Sequence, residues 1–245
     1  MHISVAAEPI FYFFRFPLTN SLLATYLVMA FLIILALIAT ADIRVLPGKL
    51  QNFFELVLSR LLSFFKSVAG EKAEELFPIL ATFFIFILFA NWAGLLPGFG
   101  SIGFYEEVGG KEILKPLFRG PTADLNTTLA LAIFSVAATQ YYSIKHLGLK
   151  GFSKRFFSLN PIYLFIGLLE LISEFAKIIS FSFRLFGNIF AGEVLLMVIA
   201  FLVPILAPIP FLGLEVFVGL IQALVFTMLT MVFMVAATTV HIERG

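Results

Sequence analysis

Apolar residues run almost without a break over 21–41, 76–96, 122–144, 161–203 and 211–240. Each of the first three has the ~20 residues that carry a helix across ~30 Å of hydrocarbon. Asp42 and Arg44 close the first run, and Pro47-Gly48 marks a turn. Pro78 is expected in the first turn of the second helix, where its missing N–H does no harm. The stretch 49–68 differs. Leu50, Phe53, Phe54, Val57, Leu58, Leu61, Leu62, Phe65 and Val68 keep helical spacing, while Glu55, Ser59, Arg60, Ser63, Lys66 and Ser67 take the other face. That predicts an amphipathic helix in the membrane interface, with packing on other protein as the alternative.

The C-terminal third is unusual. Asn160-Pro161 supplies a cap and a proline at the first helical position. The chain then stays apolar to Val203, roughly 63 Å as helix and twice the hydrocarbon thickness. No polar loop divides it, so one long tilted or bent helix lying against another protein is expected. Pro204, Pro208 and Pro210 make the turn, and 211–240 returns to the charged end His241-Ile242-Glu243-Arg244. The fold class predicted is an all-α polytopic membrane protein forming a single membrane domain, 1–245. It combines several transmembrane helices, one interfacial amphipathic helix and a C-terminal hairpin of two long tilted helices.

Composition agrees, with 61% hydrophobic and 13% charged residues against about 25% charged in a soluble domain. The loops give orientation. Lys145, His146, Lys150, Lys154 and Arg155 stand in 145–160 without an acid, which predicts a cytoplasmic loop by the positive-inside rule. Counting back, 97–121 is an external loop, 42–75 is inside and the N-terminus is outside; the C-terminus is cytoplasmic. Arg44, Lys49, Arg60, Lys66 and Lys72 in 42–75 agree. In 97–121, Glu106, Glu107 and Glu112 balance Lys111, Lys115 and Arg119, and Gly109-Gly110 is placed to turn a small hairpin. There is no cysteine, the three histidines are scattered, and no phosphate-cradling glycine loop occurs. Neither a metal nor a cofactor is expected, and no basic-aromatic stretch suits nucleic acid.

The candidate chemistry lies in the two long arms. Arg184 stands among phenylalanines and leucines, keeps its proton, and costs ~2.5–3.5 kcal/mol at the centre of a membrane helix. At about 100° per residue, Glu170, Glu174, Lys177, Ser180 and Asn188 share its face, whereas Glu193 lies about 180° away. Glu215 and Gln222, seven apart, share a face of the return arm. Acids thus approach Arg184 from both ends on different faces, as two offset polar paths. No carboxylate stands at i±3 or i±4 of Arg184. Its partner is either a carboxylate of another chain, which the geometry favours, or Glu215 across the hairpin after a stagger. Glu174 and Lys177 could equally form a simple i,i+3 pair. Asp124 and Asn126 read first as a helix cap and second as a polar mouth. Asn91 reads as a helix-end anchor beside Trp92 or as a group on a water path.

The segment FRLFGNIFAGE at 183–193 strongly resembles the signature of the a subunit of F-type ATP synthases. DLNTTL at 124–129, NWAGLLP at 91–97 and LIQALVFTMLT at 220–230 support it, so the resemblance spans most of the chain. It implies a proton-translocating stator subunit beside a rotating ring of c subunits, with Arg184 facing the c-ring carboxylate and separating two half-channels. By similarity Asn188, Glu193, Glu215 and Gln222 belong to the outer half-channel or its junction with the arginine, and Glu170 and Ser180 to the cytoplasmic side, with a counterpart for Lys177. Some members carry histidine where Glu215 stands. The implied partners are the c-subunit ring, peripheral-stalk b subunits and the rest of the complex, within an energy-coupling bilayer such as the bacterial inner membrane. The chain is then no enzyme by itself. A self-contained secondary ion transporter is the alternative; paired repeats with broken helices would mark it, and none is found. One conflict stands at this stage: folding the hairpin near Ala207 sets Gln222 against Glu193, whereas similarity sets it near Arg184.

Overall fold

A computed structural model of the chain describes residues 7–13, 16–45, 48–96, 99, 102–108, 111–156, 160–204 and 206–238. The Pro47 turn, the Gly109-Gly110 turn and the charged end at 241–244 lie outside these residues. Six helices dominate: α1 (Asn20–Thr40), α2 (Lys49–Ala69), α3 (Lys72–Ala93), α4 (Leu125–Phe156), α5 (Pro161–Leu202) and α6 (Pro208–Thr238). Two antiparallel pairs accompany them, β1 (Pro9–Phe13) with β2 (Phe16–Thr19), and β3 (Gly103–Val108) with β4 (Lys111–Pro116). Helices α1, α3, α5 and α6 are each long and apolar enough to cross a membrane. The protein is an all-α polytopic membrane protein.

Polar bonds fix which helix ends lie together. At one end, here the loop end, Ser21 Oγ donates to Asp124 Oδ2 at 2.5 Å and Asn91 Nδ2 donates to the Gly219 carbonyl at 2.9 Å. At the other end Lys145 Nζ donates to Glu75 Oε1 at 2.7 Å, and Lys72 Nζ to Thr238 Oγ1 at 3.3 Å. The core is assembled from stripes at helical spacing. Phe181, Leu185 and Ile189 of α5 meet Phe83 and Ile87 of α3, Ala132 of α4, and Ala223 and Phe226 of α6. Lipid is as apolar as these side chains, so close van der Waals packing holds them rather than escape from water.

Helix α4 is not among the four strongly apolar helices, and its packing explains why. Its serines and threonines turn inward: Ser135 Oγ lies 2.7 Å from Thr230 Oγ1, Thr128 Oγ1 3.2 Å from Ser182 Oγ, and Ser143 Oγ donates to the Ala237 carbonyl at 3.0 Å. Helix α2 splits its apolar face. Leu61 and Phe65 bury against Leu76, Leu80, Met231 and Met234, while Leu50, Phe53, Leu56, Val57, Phe64 and Val68 stay exposed.

Three expectations need correction, and one element was not expected. The basic segment 145–160 is largely helical rather than a loop. Glu75 holds Lys145 and, at 3.0 Å, His146 within α4, and Gly148, at φ +68°, breaks the helix before it resumes to Phe156. Helix α3 starts at Lys72, ahead of the expected 76, so Pro78 falls in its second turn. Pro208 and Pro210 open α6 rather than forming the turn, as suits residues whose missing N–H has no helical partner there. The β1–β2 pair was not expected; Pro9 and Pro17 mask the strand pattern, and edge strands tolerate them.

Candidate functional site

The stripe Phe181–Leu185–Ile189 turns into the bundle, so the neighbouring Phe183, Arg184 and Asn188 stay exposed on the outer flank of α5. The Arg184 Nη2 reaches Ser180 Oγ at 3.4 Å, and its Cζ lies 6.0 Å from the Phe181 ring centroid. Among the described residues no carboxylate forms an ion pair with Arg184. Ser180 accepts from this guanidinium instead of bonding back to its own helix.

Toward the loop end the two arms share a ladder of polar contacts. Asn188 Nδ2 donates to Gln222 Oε1 at 2.7 Å, one turn beyond Arg184. Little more than one further turn along, the buried Glu215 carboxylate occupies the space a Cβ on Gly192 would need. These contacts fix the register. Gln222 faces Asn188 rather than Glu193, so the simple fold near Ala207 is replaced by a stagger of just over one turn. Glu215 is no partner for Arg184, because Gly192 stands ~12 Å further along the α5 axis.

Between these levels Asn91 of α3 docks on α6 through the Gly219 carbonyl, and Trp92 Nε1 donates to the Val216 carbonyl at 3.0 Å. Gly219 has no Cβ, which lets Asn91 and Trp92 approach closely. The Oδ1 of Asn91 and Nε2 of Gln222 are both buried without a hydrogen-bond partner. An unpaired acceptor and an unpaired donor thus lie within one turn of α6, a polarity suited to water.

Glu193 points to the other flank of α5. Its Oε2 lies 3.8 Å from Arg119 Nε, with side chains 30% and 9% exposed respectively. Arg119 Cζ also stands 5.7 Å from the Phe190 ring centroid. Asp124 belongs to a different cluster. It accepts from Ser21 Oγ, from the Asn126 backbone N–H at 3.1 Å and from Asn126 Nδ2 at 3.2 Å, and so caps α4 while tying it to α1. The exposed Asn126 side chain closes that cap.

Toward the opposite end, Lys177 Nζ donates to Glu174 Oε1 at 2.8 Å, with side chains only 18% and 9% exposed. Lys177 Nζ also sits 4.4 Å from the Phe233 ring centroid, and Glu174 Oε2 is buried without a hydrogen-bond partner. Glu170 is half-buried one turn below Glu174. The structure therefore brings Arg184 with Ser180, Asn188 with Gln222, and Glu215 with Gly192. It leaves Glu193 with Arg119, Lys177 with Glu174, and Asp124 with Asn126 as separate clusters.

Two polar side chains, Arg119 and Gln140, escape the sequence reading. Arg119 counted only as one of several balancing loop charges, and nothing local in the sequence points it at α5. Gln140 of α4 has both amide atoms buried without a partner. The spacing of Thr128, Ser135, Thr139 and Ser143 did mark a polar stripe on that helix, and periodicity could have found it.

Residues 22–235 match the family model described as ATP synthase A chain. A protein of Desulfotalea psychrophila named ATP synthase subunit a is 39% identical over 218 residues, 87% of this chain and 82% of that protein. The protein of the same name from Syntrophobacter fumaroxidans is 36% identical over 217 residues, with the same coverage of 87% and 82%. That of Moorella thermoacetica is 32% identical over 232 residues, 95% of each chain. With the arginine-bearing hairpin and its polar ladder, this match places the chain in the ATP synthase A chain family, as a multi-pass membrane subunit of that complex.

Proposed function

We propose that the chain is the proton-translocating stator subunit of an F-type ATP synthase, set against a rotating ring of c subunits through the exposed flank of α5. The observation that carries this reading is Arg184, exposed on that flank and without an ion pair among the described residues. A permanent charge facing lipid is costly, whereas a carboxylate brought to ~4 Å by a neighbouring chain gains about 4 kcal/mol at an effective dielectric near 20. Arg184 cannot relay a proton, so its part is electrostatic: it holds the arriving ring carboxylate ionised and keeps two aqueous half-channels apart.

Protons enter from the outside through Glu193 and Glu215 and pass the Asn188–Gln222 level to load a ring carboxylate. The unpaired buried atoms of Asn91 and Gln222 support water at this level. Exit follows the cytoplasmic face marked by Ser180, Lys177 and Glu170. Asp124 and Asn126 act at the outer end by holding α4 to α1. The N-terminus lies outside and the C-terminus in the cytoplasm of a bacterial inner membrane, with peripheral-stalk b subunits against the remaining faces. ATP chemistry belongs to the soluble head, and this chain needs no cofactor.

The test is Arg184→Ala in the reconstituted complex. Proton-driven ATP synthesis should be lost, with passive proton leak, while the head still hydrolyses ATP. Normal coupled synthesis in that variant, or a purified complex without a ring of small subunits, overturns the proposal.

A further inference from the structure

Arg119 lies in the short segment between β4 and the 3₁₀ turn Pro121–Ala123, far in sequence from both long arms. Its side chain is nonetheless almost fully buried against α5, facing Glu193 and Phe190 together. Those two residues are three apart and share one flank of the helix. The backbone beneath Arg119 is fixed on both sides. Gly120 packs against Gly94 at the end of α3, its Cα 3.1 Å from where a Gly94 Cβ would stand. Asp124 anchors the following turn to Ser21 of α1. Arg119 therefore projects from a rigid wall rather than a loose loop.

We propose that Arg119 is a positioning residue for proton entry, the fixed counter-ion that holds the Glu193 carboxylate on the outer flank of α5, away from Arg184. The proposal rests on the reading of Glu193 as a proton-path group. Two features suit this role. A guanidinium keeps its charge at every working pH, so the counter-ion is constant while its partner changes state. The 3.8 Å separation and the buried Glu193 Oε2 without a hydrogen bond leave a free lone pair on the carboxylate. A bidentate clamp would occupy both oxygens; this looser pair steers the group yet lets it take and release a proton. Phe190 holds the guanidinium from one side by a cation–π contact, which fixes its direction.

The experiment uses the complete ATP synthase in liposomes, with Arg119→Gln, Arg119→Lys, Glu193→Gln and the double variant R119Q/E193Q. Proton-driven ATP synthesis is measured per assembled complex, and the membrane content of the chain is measured in parallel. R119Q should slow synthesis by about five- to thirtyfold, the range of a lost contact between coupled groups. R119K should recover to within about threefold of wild type, since a lysine keeps the charge a merely structural filler would not need. R119Q/E193Q should be no slower than E193Q alone. Wild-type synthesis in R119Q, a double variant slower than E193Q by the full R119Q factor, or an assembled R119K as slow as R119Q each overturns the proposal. Should R119Q fail to accumulate in the membrane, restored accumulation in the double variant supports the pair, and no restoration overturns it. Wild-type synthesis in E193Q removes instead the reading of Glu193 on which the proposal stands.

Discussion

Gly192→Ala puts the stagger of the hairpin to a direct test. The side chain a new methyl would meet first is Glu215, whose carboxylate occupies the same space. Two energies compete. Alanine favours an interior helix position over glycine by about 1 kcal/mol. Overpacking a filled site costs about 1–3 kcal/mol. The obstacle is the far end of a flexible side chain, so the lower part of that range applies, and the net change should lie between about 0 and 1 kcal/mol. The chain should therefore insert and assemble. The carboxylate, however, has to leave its place between the arms by about 1 Å or more, and misplacements of that size cost up to about a hundredfold where geometry matters. Proton-driven synthesis in inverted vesicles should fall at least about tenfold per assembled complex. Glu215 is the group that moves, so G192A combined with Glu215→Gln should lose no more than E215Q alone. Gly213→Ala is the control, because a Cβ there meets nothing within 4 Å. Wild-type synthesis in G192A, or loss of the chain from the membrane in both glycine variants, would refute the register and the placement of Glu215 derived from it.

Lys177→Ala removes the cation paired with the buried Glu174 and should destabilise the assembled chain by up to about 3–5 kcal/mol; pairing it with Glu174→Gln should restore membrane levels, read by immunoblot. Asp124→Ala removes an acceptor that serves Ser21 and the first turn of α4, at about 1–3 kcal/mol, whereas Asp124→Asn keeps the cap and should retain most proton-driven synthesis. A D124N variant that assembles fully yet conducts no protons would favour the polar-mouth reading over the cap.

Helix existence was legible because lipid and bundle both demand long apolar runs, and the 49–68 stripe was legible because its period is helical. Boundaries were not, wherever a tertiary contact replaced a local signal. Lys145 and His146 look like loop residues until Glu75, 70 positions earlier, is seen to hold them inside α4. The sequence leaves Asn91 open between an end anchor and a water-path group, and its docking on α6 is not legible there because its acceptor is a backbone carbonyl, which carries no sequence signature. The face expected around Arg184 holds in part: Ser180 and Asn188 share its exposed flank, whereas Glu174, placed on the same face at its edge, is buried in its pair with Lys177, because helical angles within one element do not say where a neighbouring helix covers it.

Register is the quantity that neither period nor propensity can supply. Sliding α6 along α5 by one turn keeps every apolar stripe buried, so core packing discriminates poorly between the alternatives. Polar groups discriminate well, because each one left without a partner in this setting is costly. Asn188 bonds to Gln222, and Glu215 fills the room left by the missing side chain of Gly192, in this one alignment. Moving α6 one turn back toward the simple fold would set Gln222 near Gly192 and carry Glu215 beyond the glycine that makes room for it. The few polar residues and one glycine in the arms thus fix the same alignment that leaves Arg184 facing outward, one turn from the Asn188–Gln222 bond and without a partner on α6. On this reasoning the alignment of the arms and the availability of the arginine are one property, and a substitution that shifts the first alters the second.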